Sequence, residues 1–181
     1  MTNMPPATSD SPLVQFGTTF KTIIVSPHVF FDSLPVEGDI KPAFLFYLAI
    51  SAVYALGNLI VSFRVMQAVQ TLFIGVIFGF VWSGFVYLLA KALGGKRGYV
   101  DTYRSMAYAS APNVFAWIPL IQLIAGAYAL YLMTLGLVRV HELPANRAWV
   151  VVGIATATIV GIAIMVVFFS LANLVKPQPG I

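Results

Sequence analysis

Long apolar runs separated by short polar clusters dominate this chain. Between Pro42 and Arg64, Arg64 and Lys91, Arg104 and Arg139, and Arg147 and Lys176 there is no Asp, Glu, Lys or Arg. The gaps hold about 21, 26, 34 and 28 residues. About 20 apolar residues in a helix cross ~30 Å of hydrocarbon, so each gap holds at least one span. As one helix the third gap would run to ~50 Å, too long for one crossing. Pro112 and Pro119 also interrupt it, and each removes a backbone donor. The pattern therefore predicts an all-α, polytopic membrane protein with five transmembrane helices, at about 43–63, 71–90, 100–116, 120–138 and 149–174. A single kinked span with a re-entrant half is the alternative for the third gap. Residues 65–70, with Gln67 and Gln70, are expected to form a tight turn.

The N-terminal part is patterned differently. Residues 1–10 are polar and broken by Pro5 and Pro6, so a disordered tail is expected there. They contain no apolar stretch of the signal-peptide type, which leaves the first span as the expected insertion signal. Ser11-Pro12 and Ser26-Pro27 both read as helix starts. After the first, Leu13, Phe16, Phe20, Ile23 and Ile24 recur at helical spacing, opposite Gln15, Thr18, Thr19, Lys21 and Thr22. That is an amphipathic, interfacial helix, too polar to span. Residues 11–42 form a cytoplasmic interfacial segment and 43–175 the five-helix domain. Residues 176–181 form a tail, where Pro177 and Pro179 end the last helix.

Composition agrees: 60% of residues are hydrophobic and 9% charged, against ~25% charged in a soluble domain. The net charge of +4 would suggest nucleic acid in a soluble protein. Here the cations flank apolar runs, so their expected partners are the bilayer and its anionic headgroups on the cytoplasmic side, with no nucleic acid. With five spans, Lys21, Lys41, Lys91, Lys96, Arg97, Arg104, Arg139 and Arg147 share one side, and Arg64 and Lys176 the other. The positive-inside rule then places the N-terminus in the cytoplasm and the C-terminus outside.

Candidate chemistry is sparse. There is no cysteine, which excludes disulfides and thiolate sites. His28, His141 and the six carboxylates lie in loops or near span ends, so no catalytic residue, cofactor site or metal site is expected. His141 beside Glu142 reads as a solvated loop pair. Asn58, Ser83, Ser110, Asn113, Gln122 and Asn173 lie within spans, where interhelical hydrogen bonds are the ordinary use of such groups. Gly75 and Gly79, and Gly153, Ala157 and Gly161, form small-residue faces suited to packing within the bundle or to a homo-oligomer seam. The best candidate surface is a turn-rich connection leading into the proline-broken helix. It gathers Lys96, Arg97, Tyr99, Asp101 and Arg104 at the cytoplasmic mouth, with Tyr108, Ser110, Pro112 and Asn113 behind them. It is expected to serve as a docking site for a protein partner or headgroup, or as a pathway. The ordinary alternative is orientation by cations and an Asp101–Arg104 pair across one helical turn.

The order of several motifs resembles the Yip (Ypt/Rab-interacting protein) domain family, in particular its prokaryotic branch. The residues concerned are Ile23-Ile24-Val25-Ser26-Pro27 with Phe30-Phe31, then Leu93-Gly94-Gly95-Lys96 with Tyr99, Asp101 and Thr102. Ala107-Tyr108-Ala109-Ser110-Ala111-Pro112, Ile118-Pro119, Tyr131, Gly136-Leu137 and Val140-His141 follow. The resemblance implies a five-span integral protein with a cytoplasmic N-terminus and a non-enzymatic, membrane-organising or adaptor role. A small transporter, channel or lipid scramblase using the broken third helix is the alternative. The acidic, tyrosine-rich motif and long N-terminal domain of eukaryotic members are not in this sequence, so Rab binding is not implied. A prokaryotic inner membrane is the expected location.

Overall fold

The computed structural model describes residues 11–35 and 38–175; the expected disordered tail at 1–10 and the 176–181 tail lie outside these. The described residues form seven α-helices and one 3-10 turn. They are α1 (Pro12–Val25), α2 (Pro27–Ser33), α3 (Ile40–Ser62), α4 (Val65–Ala92), α5 (Tyr99–Ala109), α6 (Ile121–His141) and α7 (Ala145–Val175), with the 3-10 turn at Ala111–Phe115 between α5 and α6.

Among the described residues, four helices are long and apolar enough to cross a membrane: Ile40–Ser62, Val65–Ala92, Ile121–His141 and Ala145–Asn173. The Asp39 side chain caps the first, accepting from the Lys41 backbone N–H at 3.1 Å. Phe63, left-handed at φ 55°, closes it. The expected turn at 65–70 is therefore the opening of α4, and reversal is confined to Phe63 and Arg64. At the other end of α4, Gly94 takes φ 96° and the Gly95 N–H reaches the Ala90 carbonyl at 2.8 Å. That left-handed position explains a glycine there.

The expected span at 100–116 is not one of the four. It is an 11-residue helix, broken where Ser110 turns its hydroxyl to the Ala107 carbonyl at 2.6 Å and Pro112 follows. Yet α5 is the most enclosed helix. Residues 102–107 are all buried, and α5 packs against α3, α4 and α6. The segment also runs the length of its neighbour. Arg104 lies against Gly38, just before α3 begins, and the Trp117 ring lies on Gly57, near where α3 ends.

The N-terminal helices pack on the bundle's flank. Ile23 and Phe31 are buried. Phe16 meets Phe46 of α3 with ring centroids 5.2 Å apart, and Phe20 meets Phe115 at 6.3 Å. Tyr128 of α6 donates to the Ile24 carbonyl at 2.8 Å. At 1.5 Å per residue, Tyr128 lies about 20 Å along α6 from His141. So α1 lies beside the middle of the bundle, and α2 returns to its end, where Arg139 donates to the Asp32 carbonyl at 3.0 Å. Packed on α4 and α6, α7 buries Ala148, Val151, Val152 and Ala155 and presents lipid-type side chains beyond them.

Candidate functional site

Nearly all the described charges collect at one end of the bundle. There the Lys96 N–H reaches the His141 carbonyl at 3.3 Å and Arg147 donates to the Leu93 carbonyl at 3.2 Å. Those contacts join the α4–α5 connection to the α6–α7 connection. Lys96 Nζ sits 2.7 Å from Glu142 and Arg97 3.8 Å from the same carboxylate. The Lys96 hydrogen bond, then the charges of Lys96, Arg97 and Arg139, hold the Glu142 carboxyl below the usual carboxylate range. Arg139 sits 3.7 Å from Asp32.

Arg104 is different in kind. Its side chain is only 6% exposed, and its Nη1 lies 3.1 Å from the Pro35 carbonyl and 3.4 Å from Asp101. It therefore ties the segment before α3 to the centre of the bundle. Asp101 and Arg104 do pair across one turn, but the pair faces inward.

Behind this end the interior is polar. Thr102 donates to the Gly98 carbonyl at 3.0 Å, and its oxygen lies 2.7 Å from His141 Nε2. The other ring nitrogen, Nδ1, has no partner among the described residues. His141 is wholly buried, so it is no solvated loop residue. A side chain at position 95 would press on His141 Nδ1, and one at 136 on Ser105 Oγ.

Deeper still, a cavity of about 160 Å³ lies between α3, α4, α5 and α6. Tyr47, Ser83, Tyr103, Ser110 and Asn113 line it together with Phe78, Trp82, Met106 and Met133. Tyr47 donates to the Gly75 carbonyl at 2.8 Å, whereas the buried Tyr103 hydroxyl has no partner among the described residues.

The sequence-derived candidates thus fall into three places. Lys96 and Arg97 stay at the charged surface, paired with Glu142. Asp101 and Arg104 are turned inward, and Tyr99 donates to the Phe80 carbonyl at 3.1 Å. Ser110 and Asn113 reach the cavity, while Pro112 is buried and the Tyr108 ring lies between Phe30 and Phe46. Of the packing candidates, Gly79 receives the Tyr47 ring. Gly153, Ala157 and Gly161 are exposed, and a Cβ at Gly75, Gly153 or Gly161 would meet nothing within 4 Å. Tyr103 and Gly57 were not among the sequence-derived candidates, and Thr102, Gly95, Gly136 and His141 were named only within the family resemblance or, for His141, also as a loop residue. Tyr103 sits two residues past Asp101, and that adjacency was the only signal for it.

Among the described residues, no three of His, Asp and Glu converge as a metal site. In comparisons with known proteins, the Yip1 domain profile matches residues 21–168. No curated protein matches this chain, and no solved structure does.

Proposed function

Since the chain belongs to the Yip1 domain family, and is an integral, multi-pass membrane protein, we propose that it is a non-enzymatic organiser of bilayer shape, with α1 and α2 as a wedge in the cytoplasmic leaflet. The observation that carries this is the depth of α1. It is bonded to Tyr128, about 20 Å along α6 from His141, and packed on Phe46 and Phe115. Its outer surface suits lipid. Leu13, Val14, Val25 and Val29 point outward. Thr18 and Thr22 return their hydroxyls to carbonyls of their own helix, at 2.9 and 2.8 Å. Lys21 can extend its ammonium back to the interface. A helix pair that enters from one side and stops near mid-depth adds cross-section to one leaflet only.

The orientation follows from counting crossings. With α5 and the 3-10 turn as a third, partly helical crossing, the spans number five and the charged end faces the cytoplasm. Non-helical backbone at that depth is tolerable because protein encloses it. Lys96 and Arg97 then face anionic headgroups or a partner. A transport path along the broken segment is less supported, because Ala111 and Pro112 are buried and Tyr108 is packed between aromatic rings.

Reconstitution into liposomes containing anionic lipid, imaged by electron cryomicroscopy, tests this. The wild type should narrow or tubulate the vesicles. Phe16→Asp with Phe20→Asp, which detaches α1, should leave them round at equal incorporation. Vesicles of unchanged shape at high wild-type density would refute the proposal.

A further inference from the structure

The cavity beneath Tyr103 has features that bilayer shaping does not use. The Tyr103 ring is stacked on Phe80 at 4.6 Å with an interplanar angle of 12°, so it cannot readily swing its hydroxyl elsewhere. That hydroxyl is buried without a partner among the described residues, a standing cost unless something in the cavity bonds it. Ser83 of α4 and Asn113 of the 3-10 turn line the same space. Three residues with hydrogen-bonding side chains, from three elements, therefore line a volume of about 160 Å³.

We propose that this cavity binds the glycerol end of an uncharged, hydroxyl-bearing glycerolipid of the diacylglycerol class, entering sideways from the bilayer. Among the described residues, no Asp, Glu, Lys, Arg or His lines the space. A phosphate there would lie in a low-dielectric interior without a counter-charge, so phospholipid headgroups are disfavoured. A hydroxyl, a phenol and a carboxamide can each donate or accept, which matches one alcohol and two ester carbonyls. The remaining wall is apolar, and Phe78, 47% exposed, gives the cavity a lipid-facing rim. An acyl chain can leave there beside Trp82 while the polar end stays inside. The space is large enough to hold several waters, so a glycerol end displaces a small water cluster and offers Tyr103 a partner.

Delipidated, detergent-purified protein should be photolabelled with a diacylglycerol carrying a diazirine in its acyl chain, and in parallel with the matching phosphatidic acid. The expected result is saturable diacylglycerol labelling of α4 and α6 peptides, displaced by unlabelled diacylglycerol and not by phosphatidate. Tyr103→Phe removes one hydrogen bond and should weaken labelling about fivefold. The same variant should raise the melting temperature of the unliganded protein and reduce the upward shift that added diacylglycerol produces. Ala129→Phe fills the cavity and should abolish labelling; where that variant does not fold, Tyr103→Phe carries the comparison. Equal labelling by phosphatidate overturns the proposal, as does labelling that neither variant changes. So does the absence of saturable labelling, which leaves the cavity to water alone. Vesicle shape has no bearing on these outcomes.

Discussion

Removing the Arg104 guanidinium should free the segment before α3 from the bundle. The side chain is almost fully enclosed and makes two charge-assisted contacts, to the Pro35 carbonyl at 3.1 Å and to Asp101 at 3.4 Å. Hydrogen bonds to charged groups contribute about 1.5–3 kcal/mol each. Breaking a fully buried ion pair by deleting one partner costs about 3–5 kcal/mol. The Asp101 side chain is 16% exposed and can partly rehydrate, which points to the lower end of that range. Arg104→Ala should therefore destabilise by about 3 kcal/mol, close to a hundredfold in the equilibrium that opens this contact. Arg104→Lys keeps the charge but loses the planar fork, and should fall between the two. Limited proteolysis at residues 34–39 in detergent reads the local opening, and denaturant unfolding reads the global loss. Cleavage at the wild-type rate, with stability within about 1 kcal/mol, would show that the buried pair does not hold this segment.

Three smaller perturbations test other contacts. Gly57→Ala places a methyl group in the Trp117 ring and should cost about 1–3 kcal/mol, relieved in the double variant with Trp117→Ala, whereas Gly161→Ala should be silent in the monomer. Thr102→Val leaves His141 Nε2 without its partner in the interior and should cost about 1–3 kcal/mol in chemical unfolding, while Thr102→Ser should restore most of it. Because Lys96 lowers the Glu142 carboxyl below its ordinary range, that pair stabilises the fold at neutral pH and stops doing so once acid protonates it. Melting temperatures of wild type and Glu142→Gln should therefore differ slightly at neutral pH and converge on acidification.

The apolar helices were legible because lipid imposes one rule on whatever it touches. Charge-free gaps located α3, α4, α6 and α7, and Pro112 and Pro119 located the break between α5 and α6. What was hidden is what protein, rather than lipid, surrounds. α5 carries Asp101, Thr102, Arg104 and Ser105, so it reads as a poor span, yet it is the most enclosed helix because its neighbours supply the partners. The His141–Thr102 contact joins residues 39 apart in sequence, and no local spacing encodes it. Small residues divide along the same line. Gly153 and Gly161 lie on a regular stripe that faces outward, whereas Gly57, Gly95 and Gly136 sit singly at points of close approach. Apolar spacing also found α1 and its packing aromatics, but spacing carries no information on depth.

Depth is what the wedge depends on, and it can be measured directly because the native chain contains no cysteine. Single cysteines at Val14 and Val25, both exposed, can carry nitroxide labels in reconstituted protein. Their collision rates with oxygen and with a water-soluble nickel complex report position across the bilayer. A half-membrane wedge predicts high oxygen and low nickel accessibility at both positions, comparable to a label at Ile164 on the outer face of α7. Nickel accessibility at Val14 and Val25 matching that of a label at Lys96 would place α1 on the membrane surface and contradict the wedge.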